Sequence, residues 1–297
     1  MGQDKIVLLT HPTDQGDILR DYIEWHLELG VDFVVAQDCM SSDGTHDILD
    51  AYARRGQLYW FPLPERNMLN YNSIATLAKV AIESYQADWL IMTDVDEFLC
   101  PRETDLRAVL AHAAANDFTL SYVPCFNMTG RMPKSSERAT ETLTLRVDRP
   151  SPVTREQRIS GNLPAPYIFL GHPSKTIIRA SAFVKYGPGT HNAVTSWGRH
   201  QQLRNLHILH YPIRGFDKFQ TKVAATAAFF EQNPHLENWW AAHWRRWIRL
   251  NQEGRLRQDY ENQFVSPARG EELIRDGICS LDETISNWLK SRNGASC

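Results

Sequence analysis

An α/β fold with a mostly parallel central sheet, helices on both faces and a helical C-terminal extension is the architecture this sequence predicts. Three observations carry it. Apolar runs of strand length alternate with helical stretches from the N-terminus onward. The runs are unbroken, as in Val34-Val35-Ala36 and Leu90-Ile91-Met92, which suits strands covered on both faces. In the last third, strand-like runs give way to helical stretches rich in Trp and Arg.

The elements follow in order. Residues 5–10 read as a strand. Residues 16–30 read as a helix, because Ile18, Tyr22, Trp25 and Leu29 fall at helical spacing and Gly30 is a natural stop. A second strand covers 31–37. A helix over 43–55 follows, with Ser42 or Asp43 as cap and Gly56 as terminator. A third strand (58–63), a helix (73–85) and a fourth strand (89–93) complete a βαβαβαβ rhythm. Helices are expected over 215–231, 236–252 and 271–290. The 297 residues, 42% hydrophobic, allow a large core, and we expect division into 1–215 and a helical extension, 216–297, packed on it.

Composition excludes several classes. The net charge of −3 and the lack of a basic run leave nothing to attract nucleic acid. Five cysteines without metal spacing fit reduced thiols and a cytoplasmic setting. The chain runs from Met-Gly-Gln-Asp straight into a strand, which reads as lacking a signal peptide, and no apolar run is long enough to span a membrane.

Chemistry concentrates at Asp94-Val95-Asp96-Glu97. If the fourth strand continues through it, Asp94 and Asp96 share a face while Val95 points into packing. Adjacent carboxylates repel unless a cation lies between them. A hard divalent ion, Mn²⁺ or Mg²⁺, completed by substrate phosphates is the usual solution. Asp38, Ser42 and Asp43 also fall at a strand's carboxyl end, where ligands of such sheets bind. Lys175, Arg179 and Arg214 are candidates to hold a diphosphate, whose charge grows as its bond breaks. Structural readings compete. Ser42-Asp43-Gly44-Thr45 suits a turn and helix cap. His210 shares a strand face with Leu206 and Ile208, His191 follows a tight Gly187-Pro188-Gly189 turn, and the three cations suit a solvated surface.

Three stretches resemble a known family: Tyr22-Ile23-Glu24-Trp25-His26-Leu27-Glu28-Leu29-Gly30, Asp38-Cys39-Met40-Ser41-Ser42-Asp43-Gly44-Thr45 and Asp94-Val95-Asp96-Glu97-Phe98. They are similar to the family-2-type glycosyltransferases of GT-A (Rossmann-like) fold, in a short bacterial branch with an EW..H...G helix and a DxDEF motif. Looser likeness extends through Lys175-Thr176-Ile177-Ile178-Arg179, Gly189-Thr190-His191-Asn192 and His210-Tyr211-Pro212-Ile213-Arg214. The resemblance implies a metal-dependent, inverting transfer of a sugar from a nucleotide-sugar donor to a glycan or lipid-linked acceptor, as in polysaccharide biosynthesis. Asp38 and Asp43 would contact base and ribose. Asp94 and Asp96 would hold the metal, with His210, or alternatively His191, completing its shell. Relatives often carry an Asn-Glu pair where this chain has Thr10-His11-Pro12-Thr13-Asp14, so UDP is the default nucleotide rather than one read from contacts.

The catalytic base is open, with Glu97, Glu137 and Glu141 as candidates; the latter two lie in a long segment, 127–173, expected to form an acceptor-side flap. Trp240, Trp244 and Trp247 share a helix face with Arg245, Arg246 and Arg249 nearby. That face either packs on the sheet, stacks on an acceptor sugar, or makes peripheral contact with the inner membrane. A nucleotidyltransferase would want a Gly-rich basic loop after the first strand, which residues 10–16 lack. A non-catalytic nucleotide- or sugar-binding protein on the same scaffold is the remaining alternative.

Overall fold

The computed structural model describes residues 3–63, 71–236 and 241–294. Its strands, in chain order, are β1 (Ile6–Thr10), β2 (Phe33–Asp38), β3 (Leu58–Pro62), β4 (Trp89–Met92), β5 (Glu97–Pro101), β6 (Phe118–Val123) and β7 (Cys125–Thr129). They continue as β8 (Leu145–Val147), β9 (Lys175–Arg179), β10 (Phe183–Tyr186), β11 (Ala193–Thr195), β12 (Arg199–Gln202), β13 (Leu206–His210) and β14 (Cys279–Leu281). The helices are α1 (Leu19–Glu28), α2 (Thr45–Arg54), α3 (Tyr71–Glu83), α4 (Leu106–Ala115), α5 (Ala139–Thr142), α6 (Arg155–Ser160), α7 (Phe216–Gln232), α8 (Ala242–Gln252), α9 (Leu256–Glu261), α10 (Pro267–Arg275) and α11 (Thr284–Gly294).

The chain forms two compact units, Met1–Cys125 with Pro173–Leu209, and Phe126–His172 with His210–Cys297. This differs from the expected boundary after residue 215. The reason is long-range pairing: β8 bonds antiparallel to both β7 and β14, so segment 126–172 is built into the same unit as the C-terminal helices. The segment expected as a flap, 127–173, carries the end of β7, the helices α5 and α6, and β8.

In the first unit a seven-stranded sheet runs β12-β6-β9-β4-β1-β2-β3. The neighbours β4, β1, β2 and β3 are parallel, as is β12 to β6. Only β9 is reversed, antiparallel to both β4 and β6. The α/β expectation and its mostly parallel sheet therefore hold. Every residue of β1 and β4 is buried, which explains their unbroken apolar runs.

Helix α1 carries the Trp25-His26 pair, and both side chains grip one residue of β5. Trp25 Nε1 donates to the Leu99 carbonyl at 2.8 Å, and the Leu99 N–H donates to His26 Nε2 at 3.2 Å. Since Nε2 accepts, Nδ1 carries the proton and donates to the Tyr22 carbonyl at 2.7 Å. One turn earlier the Tyr22 hydroxyl and Thr93 Oγ1 share a 2.7 Å bond. The helix motif thus fixes both ends of the segment between β4 and β5.

The second unit keeps the aromatic C-terminal stretch inside. Trp247 is buried in a cluster with Phe219, Val223, Leu256 and Tyr260, and Trp244 packs against it. Trp247 Nε1 and Arg246 both donate to Asp259. Of the face read as Trp240, Trp244 and Trp247, Trp247 is core, Trp244 is half-buried against it, and Trp240 lies outside the described residues. The helix expected over 271–290 is interrupted: α10 ends before Gly277, whose φ of 65° breaks the helix, and β14 follows. No described helix is long and apolar enough to cross a membrane.

Burial lowers the His26 pKa to about 4, against the Tyr22 carbonyl bond that favours the charged ring. An unfolded chain binds this proton near pH 6.5, well before the folded one does. Stability present above about pH 6.5 is therefore lost as the pH falls toward 4, by on the order of 3 kcal/mol from this group. Urea unfolding across that range should show a shallower pH dependence in His26→Gln than in the wild type; an unchanged slope would remove the assignment.

Candidate functional site

The chain leaves β4 at Thr93 and turns rather than continuing as a strand. The Glu97 N–H donates to the Asp94 carbonyl at 3.0 Å, and the Asp94 N–H donates to Glu97 Oε2 at 3.0 Å. A tight turn separates what strand alternation would have aligned. The Asp94 side chain is 56% exposed, Asp96 is buried at 7% and Glu97 fully so. Val95 is buried, as expected.

A cation meets this acidic turn from β9. Because β9 is antiparallel to β4, with Thr176 opposite Met92, Lys175 arrives at the carboxyl end of β4. Its Nζ lies 2.8 Å from Asp94 Oδ2 and 3.4 Å from Glu97 Oε2. Burial works to lower the Lys175 pKa, but the Asp94 and Glu97 carboxylates outweigh it, so the ammonium is held above its ordinary range. Burial raises the Glu97 pKa to about 8, with the Lys175 charge opposing and the Asp94 and Asp96 charges adding to the rise. Its Oε1 is buried with no hydrogen-bond partner among the described residues.

Two histidines adjoin this cluster. His11 directly follows β1, and burial takes its pKa to about 4 with the Asp94 charge opposing. His191 falls to about 4 as well, through burial and then the Lys175 charge. Its Nδ1 lies 3.1 Å from the Ser174 carbonyl, a contact that fixes the neutral tautomer with the proton on Nδ1. His191 follows Gly189 and Thr190, both at positive φ, 61° and 59°. For a β-branched threonine this conformation is an outlier, of a kind that costs about 1–3 kcal/mol.

At the same end of the sheet, Asp38 closes β2. It is fully buried. Its Oδ2 accepts from the Ser41 N–H at 2.9 Å and pairs with His46 Nε2 at 2.7 Å. Its Oδ1 has no partner among the described residues. His46 stacks on Trp60 with ring centroids 5.1 Å apart, giving the Asp38 carboxylate a flat aromatic flank. Asp43 accepts instead from the Gly16 N–H (3.0 Å) and from Thr45 Oγ1 (2.6 Å). Ser42 donates through both N–H and hydroxyl to Asp14. These two residues pin loop to loop, as the turn reading expects, but neither caps α2, whose N-cap position is Gly44 with no side-chain cap bond.

Arg179 pairs with Trp89, at the opposite end of β4 from the acidic turn, and its guanidinium sits 5.6 Å from that ring. Four strand steps separate it from Lys175, about 13 Å. His210, Arg214, Glu137 and Glu141 belong to the second unit. There His210 Nδ1 bonds Asn127 Oδ1 at 2.8 Å and the ring lies edge-on to His172, Arg214 donates to the Tyr211 carbonyl, and Glu141 lies in α5, where its carbonyl accepts from Ser286. Glu137 forms an exposed pair with Arg131, whose hydrogen bonds hold its pKa at about 2, far too acidic for a base at neutral pH. Glu97 has the higher pKa but no access to an acceptor.

Carboxylate oxygens from Asp94 and Asp96, with a neutral imidazole at His191, are donor types that fit a hard divalent cation. The exposed Asp94 carboxylate is reachable from solvent although one oxygen meets Lys175. Among the described residues, Asp94 and Asp96 form no three-residue group with ligand atoms all within 4.8 Å; phosphate and water commonly complete the shell of such an ion. Sequence reasoning passed over His11, His46 and Tyr22. Their signal was position: His11 and His46 follow strand ends in a parallel sheet.

A family model described as glycosyltransferase family 92 matches residues 9–238. No curated protein matches the sequence significantly. Among solved structures, S. aureus TarS is similar at 14% identity and a TM-score of 0.42, over 84% of this chain. The chain spans 43% of that protein's length. A TarS 1–349 structure in complex with UDP-GlcNAc matches at 13% identity and a TM-score of 0.44, covering 86% of this chain and 79% of that one. HddC from Yersinia pseudotuberculosis matches at 11% identity and a TM-score of 0.37, covering 70% and 95%.

Asp43→Ala removes the acceptor that ties Gly16 and Thr45 together, and should lower stability by about 1–2 kcal/mol. Chemical denaturation reads this directly; no change would return Asp43 to the list of pure ligand contacts.

Proposed function

The chain belongs to glycosyltransferase family 92, and on that premise we propose that it moves a sugar from a nucleotide-sugar, a UDP-sugar by default, to a glycan or lipid-linked acceptor with inversion. The observation that carries this reading is the acidic turn at the carboxyl end of β4, with Asp38 at the same end of β2. In open α/β sheets ligands bind beyond these ends, and a nucleotide diphosphate needs both a polar subsite for its base and a cationic one for its phosphates.

In this reading the nucleoside end lies by Asp38, His46 and Trp60. The Asp38 carboxylate has an unmatched buried oxygen, which calls for a donor such as a base N–H, and the stacked His46–Trp60 pair offers a flat neighbour. Ser42 and Asp43 hold the shape of the loop around it. The diphosphate end lies by Asp94 and Asp96, which would hold Mn²⁺ or Mg²⁺. That ion supplies Lewis acidity toward the departing diphosphate. His191, kept neutral by burial, is the histidine of the first unit that serves this end. The resemblance to family-2-type enzymes supports inversion, in which a carboxylate takes the acceptor hydroxyl's proton as the hydroxyl attacks the anomeric carbon.

A ligand that binds only the folded state raises its stability by RT ln(1 + [L]/Kd). A thermal-shift panel of UDP, GDP, CDP and TDP, each with and without Mn²⁺, should give a Mn²⁺-dependent rise with one of them. Asp96→Ala should abolish that rise without altering the unliganded melting temperature by more than a few degrees. No shift with any diphosphate would overturn the donor reading; an equal shift in Asp96→Ala would overturn the metal assignment alone.

A further inference from the structure

We propose that Lys175 is a positioning residue: its buried ammonium ties the strained Gly189–Thr190 turn to the Asp94 carboxylate, and so sets His191 beside the acidic turn. The proposal rests on the donor-site reading of the same cluster, and it gives Lys175 a task other than the direct diphosphate contact expected from the sequence.

Several observations converge. The Lys175 side chain is 3% exposed, so little of it can meet a solvent-borne phosphate. Its Nζ contacts partners on two separate segments. On one side are Asp94 Oδ2 (2.8 Å) and Glu97 Oε2 (3.4 Å). On the other are the Gly189 carbonyl (3.3 Å) and Thr190 Oγ1 (3.4 Å). An ammonium has three donors and a compact charge, which suits a junction of this kind.

The turn it holds is one that the backbone does not favour. Gly189 and Thr190 are consecutive left-handed residues, and such strain persists only where the surroundings over-determine it. Thr190 is buried, and its contacts come from several segments. Thr176 Oγ1 donates to the Thr190 carbonyl at 3.1 Å, the Thr190 N–H donates to the Gly187 carbonyl at 3.1 Å, and the Thr190 hydroxyl donates to the Gly189 carbonyl at 2.6 Å. Lys175 provides an ionic tie from this turn to the acidic turn. The imidazole follows the turn closely. A Cβ added to Gly189 would come within 2.8 Å of the His191 ring, so ring and backbone have no slack between them, and a relaxed turn would move the ring.

The test uses Lys175→Met, which keeps the chain length and removes the charge. Hydrogen exchange measured by mass spectrometry should quicken at least tenfold in peptides covering 187–192, while those covering β1 and β4 stay protected. In the wild type His191→Ala should weaken Mn²⁺-dependent nucleotide binding at least tenfold; added to Lys175→Met it should cost less than a further twofold. Unchanged exchange, or losses that multiply, would overturn the proposal. If Lys175→Met does not fold, Lys175→Met with Glu97→Gln removes the carboxyl group that loses its cation, and the same two readouts apply. The exchange measurement needs no donor, so absence of nucleotide binding by the wild type would sink the donor reading and leave the positioning role to be decided by exchange.

Discussion

The acidic end of the sheet depends on one buried positive charge. Asp94, Asp96 and Glu97 occupy a single tight turn, and three carboxylates so close cannot all stay ionised without compensation. Lys175 supplies it for Asp94. The same ammonium lies 3.4 Å from Glu97, whose charged form burial disfavours. What reaches solvent is mainly the Asp94 carboxylate. An arrangement of this kind holds negative charge at a defined place, because the buried Lys175 ammonium would be left uncompensated without the Asp94 carboxylate.

The sheet's one reversed strand makes this possible. Had β9 run parallel to β4, Lys175 would have entered at the amino end, where Arg179 sits, and the arginine would have faced the acidic turn. Direction decides which of two cations in a five-residue strand becomes part of the site. The same strand brings Thr176, which bonds the Thr190 carbonyl, so β9 serves both as the sheet's inner strand and as the floor under the 187–191 turn. Helix α1 acts in a comparable way from the opposite side of the segment.

How much of this was legible follows from sequence distance. The parallel βα rhythm, the terminal position of Asp38 and the acidic cluster after β4 are local patterns, and reading them along the chain placed them correctly. The turn at Asp94–Glu97 was missed because strand periodicity was extended past Met92, where the chain reverses instead. Lys175 and Asp94 are 81 residues apart, and no local pattern announces a bond of that span. The same holds for the second unit: β8 finds β14 across more than a hundred residues of chain, so segment 126–172 looked like a loop. The Trp-rich face is ambiguous by pattern alone, since core and interfacial helices share the same spacing; Trp247 packs among Phe219, Val223, Leu256 and Tyr260 of the second unit.

The grip of α1 on both ends of the β4–β5 segment has a consequence for how this region can vary. Tyr22 meets Thr93 at one end, and Trp25 with His26 takes both polar groups of Leu99 at the other. The helix therefore measures the chain between them. Inserting or deleting a single residue there would flip β5 to its other face and take the Leu99 backbone out of reach. Substitutions can change the acidic turn's chemistry, but its length is set by a helix that contributes no charge to it.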